Sequence, residues 1–332
     1  MRKLLLTLCF CALLIPAVHA QQMAVPGQGV AGMNVDEVVE LELLTQTEVA
    51  DKIANGWTSV LLPAGGTEIR GPHAIIGVHT ILATHRAVEA AKRLGKTIVA
   101  PTLPFAVSAT GGYNDRRWEG FLAGDEPTAP NPGAIQVSAE VFKGIEEGAV
   151  RSLAYIGFKD IFLMGDHGGG QAQMREVAEE LTAELAPIGV RVYYVGDFYQ
   201  KTHDDINMYM YEHKLPVAGH GGMMETAEMM YWEPSQYAYI RPIYATVPYD
   251  GNSDDYEGWK AAQDARAAGQ RRGGGGGNRG GGNAQDDRPR ANNGLTGNPH
   301  PATAEIGADL AEIGISNTVN EVRALLAEHY GR

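Results

Sequence analysis

Short apolar runs alternate with longer segments of helical periodicity along most of the chain. The apolar runs are bounded by Gly, Pro or polar residues, which is typical of buried strands. The predicted strands are Trp57–Leu62, Thr97–Ala100, Asp160–Met164 and Val190–Tyr194. The predicted helices are His79–Leu94, Val137–Leu153 and Gln171–Ala186. Because strands that alternate with helices need crossover connections, the pattern predicts an α/β fold, a three-layer α/β/α sandwich with a mostly parallel sheet.

The first twenty residues have the pattern of an export signal. Arg2 and Lys3 precede an apolar segment at Leu4–Ile15, and a Val-His-Ala cleavage motif ends at Ala20. The apolar segment is shorter than the roughly 20 residues that a membrane-spanning helix needs. We therefore expect cleavage after Ala20 and an exported protein, periplasmic or secreted, that has no membrane attachment once it is cleaved.

The rest of the chain is predicted to form one domain with an insert. Residues 21–45 carry few structural cues and are interpreted as an N-terminal extension, and residues 46–332 as an α/β domain. Residues from about 271 to 297 are rich in glycine and almost free of apolar side chains, so they cannot offset their ordering entropy and predict a disordered insert. Beyond it we expect a helix that reaches about Ile313, an interruption at Gly314 and a last amphipathic helix.

The amino-acid composition indicates which classes of binding partner are expected for this protein. The net charge is −13, and an acidic surface disfavours nucleic acid and anionic membranes, since phosphate binding needs Lys and Arg. Both cysteines, Cys9 and Cys11, lie in the predicted export signal. The cleaved chain would therefore contain no disulfide, no thiolate metal ligand and no cysteine nucleophile. A small-molecule substrate is the expected partner.

Two glycine-rich blocks carry potential metal ligands directly after predicted strands. Residues 65–73 read Gly-Gly-Thr-Glu-Ile-Arg-Gly-Pro-His, and residues 165–170 read Gly-Asp-His-Gly-Gly-Gly. The carboxyl ends of parallel strands lie at one edge of a sheet, where α/β enzymes build their sites. Glycines in such loops let the backbone approach an ion or a substrate closely. The two blocks predict a shared site at this edge.

These blocks belong to an ordered set of motifs that resembles the creatininase (creatinine amidohydrolase) family. A third motif, His-Gly-Gly-Met-Met-Glu, lies at 220–225, and Gly-Asn-Pro lies at 297–299 before the last helices. Softer matches are Pro-Thr-Leu-Pro-Phe at 101–105, followed by Ser108, and Pro-Gly-Ala-Ile at 132–135. The resemblance covers roughly 45–330. It implies a creatininase-like fold, a metal-dependent amidohydrolase and a homo-oligomer.

The resemblance also implies a metal site that departs from the family pattern. Glu68 and His167 match ligands of the first metal, and His79 stands where the family has an aspartate that bridges two metals. Arg70 and Gly169 replace a His and a Glu of the second metal. An imidazole bridges two metals poorly, and the charge of Arg70 would repel a nearby cation. We therefore expect one divalent ion on Glu68, His79 and His167, with zinc favoured and manganese or iron open.

The remaining site candidates follow from the same resemblance. His220 matches the catalytic histidine and would carry a proton to the leaving nitrogen. Arg70 and the backbone N–H groups of the 168–170 loop would stabilise the oxyanion. Further candidates for positions around the metal or the substrate are His73, Ser108, Asp166, Gly168, Gly169 and Glu225.

Simpler alternatives stay open from the residues alone. Glu68 could be a helix-capping carboxylate, His79 a surface residue at the start of a helix, and His220 a loop residue without a role. The polar residues 203–205 are interpreted as a solvated loop. The leading function is hydrolysis of a small amide, lactam or formamide-like C–N bond through a metal-activated water. The alternatives are an exported protein that binds a metal or a small anion without turnover, and a lactone hydrolase.

Overall fold

The computed structural model describes residues 35–107, 123, 134–233, 238–249, 252–267 and 294–331. The described residues from Asp36 onward belong to one compact unit. The predicted export signal, Ser108 and residues 271–293 of the predicted insert lie outside the described residues.

The central sheet has four parallel strands. In chain order, the strands are β1 (Ser59–Ala64), β2 (Thr97–Val99), β3 (Ala106–Val107), β4 (Gln136–Val137), β5 (Asp160–Gly165) and β6 (Arg191–Tyr194). The sheet has the order β2-β1-β5-β6, and β3 pairs with β4 in a separate parallel pair. Ala64 lies opposite Gly165, so β1 and β5 end at the same level. The predicted parallel sheet is confirmed.

Helices account for most of the remaining described residues. They are α1 (Gln46–Ala54), α2 (Val78–Leu94), α3 (Ala139–Ile156), α4 (Gln171–Leu185), α5 (Gln200–Glu212), α6 (Met223–Trp232), α7 (Tyr256–Ala267) and α8 (Ala304–Tyr330). Capping side chains mark at least three of the described starts, and Thr45 before α1 is one of them. Ser138 accepts from the N–H of Val141 before α3, and Thr303 accepts from that of Ile306 before α8. None of the described helices is both long and apolar enough to cross a membrane.

Helices cover both faces of the sheet, which confirms the predicted three-layer sandwich. Successive side chains of a strand point to opposite faces. Leu62 and Leu163 therefore pack into one buried cluster, which also contains side chains of α3 and α4. Leu61 and Phe162 pack into the other cluster, with side chains of α2 and α8. The site described below lies at the edge where β1 and β5 end.

The fold begins earlier than the predicted boundary at residue 46. Val39 is only 4% exposed, and its carbonyl oxygen accepts from the N–H of Val99 at 2.7 Å. Glu40 forms an isolated parallel bridge with the same residue of β2. This short segment pairs with β2 at the edge of the sheet, where a strand otherwise leaves backbone groups unpaired. The last part of the predicted 21–45 extension thus belongs to the domain.

The C-terminal helix was predicted wrongly as two helices. Helix α8 runs without a break through Gly314. A Cβ atom at Gly314 would lie only 3.0 Å from Nε of Arg86, so glycine allows the Arg86 side chain to pack against the helix. Glycine costs a helix about 1 kcal/mol relative to alanine. The packing of the buried arginine outweighs that cost.

The prediction of a solvated loop at residues 203–205 is wrong. These residues lie within helix α5. His203 and Tyr199 are one helical turn apart and their rings pack together, with centroids 4.3 Å apart. Asp205 accepts a hydrogen bond at 2.9 Å from the amide of Asn317 in α8. The apolar face of α5, with Ile206 and Met210, is buried against neighbouring helices. That face is short, so its pattern is weak in the sequence.

Candidate active site

Three predicted ligands converge at the carboxyl edge of the sheet. Glu68 lies in the loop after β1, His167 in the loop after β5, and His79 in the first turn of α2. Oε2 of Glu68 is 3.2 Å from Nε2 of His167 and 3.4 Å from Nε2 of His79. One donor atom from each residue lies within 4.8 Å of the other two, which is a spacing that can hold a metal ion. Their role as ligands stays a prediction.

The loop after β1 lies tightly on the start of α2. A Cβ atom at Gly65 would lie 2.4 Å from Cα of Thr80, so only glycine permits this approach. The N–H of Gly66 donates to Oγ1 of Thr80 at 3.1 Å. The N–H of Glu68 donates to the carbonyl of Ile76 at 2.9 Å. These contacts place the carboxylate of Glu68 beside the first turn of the helix.

The His79 ring is held by a neighbouring carboxylate. Nδ1 of His79 donates to Oδ2 of Asp166 at 2.9 Å, so its Nε2 is left facing Glu68. The side chain is 5% exposed, which excludes the alternative of a surface histidine. Burial and Arg70 lower the pKa of His79, but the hydrogen bonds to Asp166 and Glu68 outweigh them and raise it. Asp166 therefore has the orienting role that such carboxylates have beside ligand histidines.

The His167 ring is held by its own loop. Nδ1 accepts from the N–H of Gly169 at 2.9 Å, so in the neutral ring the proton is on Nε2, which faces Glu68. Metal binding through Nε2 would need that proton to leave. The side-chain amide of Gln171 donates to the carbonyls of Gly165 and His167, at 2.8 and 2.7 Å, and fixes the loop. Gly168 is exposed beside it.

Arg70 is buried in the middle of this group. Its Nη2 lies 3.0 Å from Oε2 of Glu68 and 3.2 Å from Oε1 of Glu225, and it also contacts Nε2 of His79. Its Nη1 contacts the ring of His220. Its Nε has no hydrogen-bond partner within the described part of the chain. The guanidinium thus binds the same oxygen and nitrogen atoms that a metal ion on Glu68 and His79 would use.

His220 and Glu225 form the third side of the site. Nε2 of His220 donates to the carbonyl of Ile69 at 2.7 Å and is 3.5 Å from Oε1 of Glu68. Glu225, in the first turn of α6, accepts from the N–H of Gly221 at 2.7 Å. Burial raises the pKa of Glu225, but the positive charges of Arg70 and His220 outweigh it and lower the pKa. His220 lies beside the predicted metal-binding group, which consists of Glu68, His79 and His167, and is not a member of it.

The loop of His220 is supported by residues assigned above to the glycine-rich insert. The N–H groups of Thr296 and Gly297 both approach the carbonyl of His220, at 2.9 and 3.2 Å. Oγ1 of Thr296 accepts from the N–H of His220 at 2.9 Å. Leu295 is 3% exposed. Residues 294–297, at the approximate C-terminal end of the predicted insert, are therefore packed against the site.

His73 braces the site from outside the metal-binding group. It is fully buried, and its Nε2 lies 3.1 Å from Oγ1 of Thr226 in α6. Burial lowers the pKa of His73, which keeps the ring neutral. The contact ties the loop after β1 to α6. His73 therefore holds the loop by hydrogen bonding.

The charges of the described site fit a cation. Glu68 and Glu225 lie against Arg70, and Asp166 and Glu228 lie against Arg86. Burial raises the pKa of Glu68, but Arg70 and His220 outweigh it, and the pKa is held well below its usual value. These four acidic side chains face two arginines, and three imidazoles accompany them, those of His79, His167 and His220. A divalent ion would offset the excess negative charge, and carboxylate and imidazole are ligands that zinc and manganese accept. The donor set therefore fits one such ion, provided that Arg70 moves away from His79.

Sequence reasoning missed Arg86 and Glu228. Nε and Nη2 of Arg86 donate to the two carboxylate oxygens of Glu228, at 3.1 and 2.5 Å, and Nη1 donates to Asp166 at 2.6 Å. The sequence did contain one signal for Arg86. It comes two helical turns after His79 and therefore lies on the same, buried face of α2. A charge at such a position indicates a buried partner, but it does not identify which one.

The comparisons with known proteins agree with this geometry. The Creatininase family model, creatinine amidohydrolase, matches residues 42–322. No curated protein sequence matches the chain. The structure named "Creatininase Mn" is 20% identical, with a TM-score of 0.57, and the match covers 86% of this chain and 98% of that chain. A mutant creatininase of the Zn-Zn type is 19% identical, with a TM-score of 0.57 and the same coverage.

A creatinine amidohydrolase structure is similar at the same level. It is 20% identical, with a TM-score of 0.56, and the match covers 86% of this chain and 96% of that chain. At such identities the structures establish the fold, while the family model spans most of the chain. Metal-dependent amidohydrolase chemistry is supported at the level of the family. The motifs, the fold and the family model together show that this chain belongs to the creatininase family.

Proposed function

We propose that the chain is an amidohydrolase that uses one divalent ion to hydrolyse a C–N bond of a small amide, lactam or formamide-like substrate. One observation carries the proposal. The donor atoms of Glu68, His79 and His167 converge within 4.8 Å of one another at the sheet edge where α/β enzymes place their sites. His220 lies next to them on the other oxygen of Glu68, as a proton carrier would.

Glu68, His79 and His167 would hold the ion. When bound, the ion supplies Lewis acidity and makes water a nucleophile near neutral pH. Asp166 holds the proton on Nδ1 of His79, so Nε2 could bind the ion once Arg70 has moved away from it. Zinc is the favoured ion for two imidazoles and one carboxylate, and manganese or iron also suit the set. Manganese and zinc occur in the names of similar creatininase structures.

His220 and Arg70 would act on the substrate. The ring of His220 would pass a proton to the leaving nitrogen, for which one ring nitrogen would have to give up its contact with Arg70 or Ile69. Nε of Arg70 is a buried donor that lacks a partner among the described residues, so it is available to an oxyanion. Gly168 would bring a backbone N–H group to the same position, whereas the N–H of Gly169 would first have to leave Nδ1 of His167.

A second candidate function is binding without turnover. Arg70 already contacts Glu68, Glu225 and His79, so these acceptors are satisfied without an ion. If the guanidinium stays in place, the site would hold a small anion or the substrate without activating water. This candidate predicts that purified protein retains no stoichiometric metal.

We also propose export, with cleavage after Ala20, and assembly into a homo-oligomer. The N-terminal pattern supports the first and the family resemblance the second. The expected partner is a small molecule rather than nucleic acid or a membrane, in keeping with the net charge of −13.

Elemental analysis and a substrate panel test the proposed function. Purified protein is dialysed mildly, its metal content is measured, and it is assayed on small lactams, formamides and guanidino-amides. We expect about one ion per chain and hydrolysis of at least one compound that stops on chelation and returns with the metal. Bound metal without turnover of any compound would favour the binding function. Absence of metal would overturn the proposed metal site.

A further inference from the structure

A chain of buried charges extends from the metal-binding group to the C-terminal helix. Asp166 joins His79 to Arg86, with 2.9 Å from Nδ1 of His79 to Oδ2 and 2.6 Å from Nη1 of Arg86 to Oδ1. Arg86 is 1% exposed, and its other two nitrogens form a bidentate pair with Glu228, which is fully buried. The three donor sites of the guanidinium are thus directed at two carboxylates.

These hydrogen bonds fix both the position and the orientation of the Arg86 guanidinium. A bidentate pair fixes the plane of a guanidinium, and Nη1 then has one direction in which to donate. Asp166 receives that hydrogen bond on one oxygen, so its other oxygen is directed at Nδ1 of His79. A carboxylate without the arginine could rotate about its side-chain torsion and would be costly to bury.

Gly314 in α8 is what allows Arg86 to lie there. A Cβ atom at position 314 would lie 3.0 Å from Nε and 3.2 Å from Cδ of Arg86, closer than side chains normally approach. The glycine lies within a continuous 27-residue helix and has no turn to form. Its lack of a side chain therefore makes room for Arg86 and also for Thr202, whose Cγ2 would lie 3.2 Å from such a Cβ atom.

We propose that Arg86 is a positioning residue that acts through Asp166 on His79, and that Gly314 maintains its position from the C-terminal helix. The inference rests on the proposed metal site, because its effect is on the nitrogen that His79 presents to the ion. Partners that orient a ligand histidine typically change metal affinity by about 10- to 100-fold when they are removed. Arg86 and Gly314 contact neither the ion nor the substrate in this scheme.

The test compares two glycine-to-alanine variants of the full chain. Gly314→Ala forces Arg86 to shift by a few tenths of an ångström. Gly148→Ala is the matched control, because it also lies in a helix and its Cβ atom would meet nothing within 4 Å. Both variants gain the same helix propensity. Zinc affinity is measured by competition with a chromogenic chelator, and the melting temperature of the metal-free protein is measured alongside.

We expect zinc affinity to fall about tenfold in Gly314→Ala and to stay unchanged in Gly148→Ala. Arg86→Lys keeps the charge but loses the bidentate geometry, and we expect a fall of about 10- to 100-fold. Adding Gly314→Ala to Arg86→Lys should then have little further effect, because both changes act through the same side chain. Arg86→Met, which also removes the charge, should lower affinity more than Arg86→Lys does.

The outcomes separate this inference from the proposed function. If wild-type protein binds no zinc or manganese, the proposed metal site fails, and the inference fails with it. If wild-type protein binds the ion and both Gly314→Ala and Arg86→Lys bind it equally well, the metal site stands and the positioning role is wrong. A lower melting temperature with unchanged affinity would show that the buried charges stabilise the fold only.

Discussion

Nη2 of Arg70 lies 3.0 Å from Oε2 of Glu68, the same oxygen that faces His79 and His167. The guanidinium therefore neutralises the carboxylate that is expected to bind the ion. The guanidinium of Arg70 and a metal ion would repel each other if both lay against this oxygen. Two unit positive charges about 4 Å apart repel by roughly 4 kcal/mol at an effective dielectric constant of 20. Metal binding and the present position of Arg70 are in competition.

Arg70→Gln should bind metal more tightly and turn over more slowly. Removal of the competing cation should raise zinc affinity at least about tenfold in a chelator competition. Loss of an oxyanion donor should lower kcat by about 10²–10³. Arg93→Gln is the control, because Arg93 pairs with Glu312 on the surface. A weaker affinity in Arg70→Gln would show instead that Arg70 helps to assemble the ligands.

The number of ions per chain should be one. His79, Arg70 and Gly169 stand where a second ion would need other ligands, so elemental analysis of purified protein should give a ratio near one. His167→Ala removes one of the three expected donors and should abolish stoichiometric binding. A ratio near two would mean that neighbouring groups, such as Asp166 or Glu225, complete a second site.

His220→Ala should separate catalysis from metal binding. A proton carrier typically contributes about 10²–10⁴ in rate, so kcat should fall by that factor on whichever compound of the panel is hydrolysed. The metal content should remain, because Glu68, His79 and His167 are untouched. Glu68→Ala is the contrasting variant and should lose metal and activity together, since it removes the only anionic ligand. Loss of metal from His220→Ala would make His220 a ligand.

The buried carboxyl group of Glu146 should make the free energy of unfolding depend on pH. It is fully buried, and neither carboxylate oxygen has a hydrogen-bond partner among the described residues. Burial raises its pKa from 4.5 to about 8. Between pH 4.5 and about pH 8, Glu146 is ionised in the unfolded chain but keeps its proton in the folded chain. The contribution of Glu146 to stability is therefore fullest below pH 4.5 and falls as the pH rises toward 8, by roughly 3 kcal/mol at pH 7.

Glu146→Gln tests this directly. The variant cannot ionise, so the free energy of unfolding from urea titrations should lose this slope between pH 5 and pH 8. Glu140→Gln, at an exposed position in the same helix, should keep the wild-type slope. An unchanged slope in Glu146→Gln would show that Glu146 is not protonated in the folded protein.

Part of the site was predictable because its signals are local. Glu68 and His167 follow apolar runs whose boundaries are marked by glycines, and the order of motifs along the chain points to the family. Parallel strands bring their carboxyl ends to one edge, so two loops that are distant in sequence could be expected to meet. The choice of His79 as their neighbour, and of all three residues as a ligand set, came from the resemblance to the creatininase family and not from that rule.

The sequence alone thus determined the four strands of the central sheet and most of the helices that cover it, and its motifs singled out the three side chains that converge, since periodicity and motif spacing depend on neighbouring residues. Only the tertiary structure decided that Arg70 lies against those ligands, that Arg86 joins Asp166 to Glu228, and that α8 continues through Gly314. It also decided that residues 294–297 support His220. These features depend on pairs of residues far apart in the chain, where burial and charge, rather than local propensity, set the free energy.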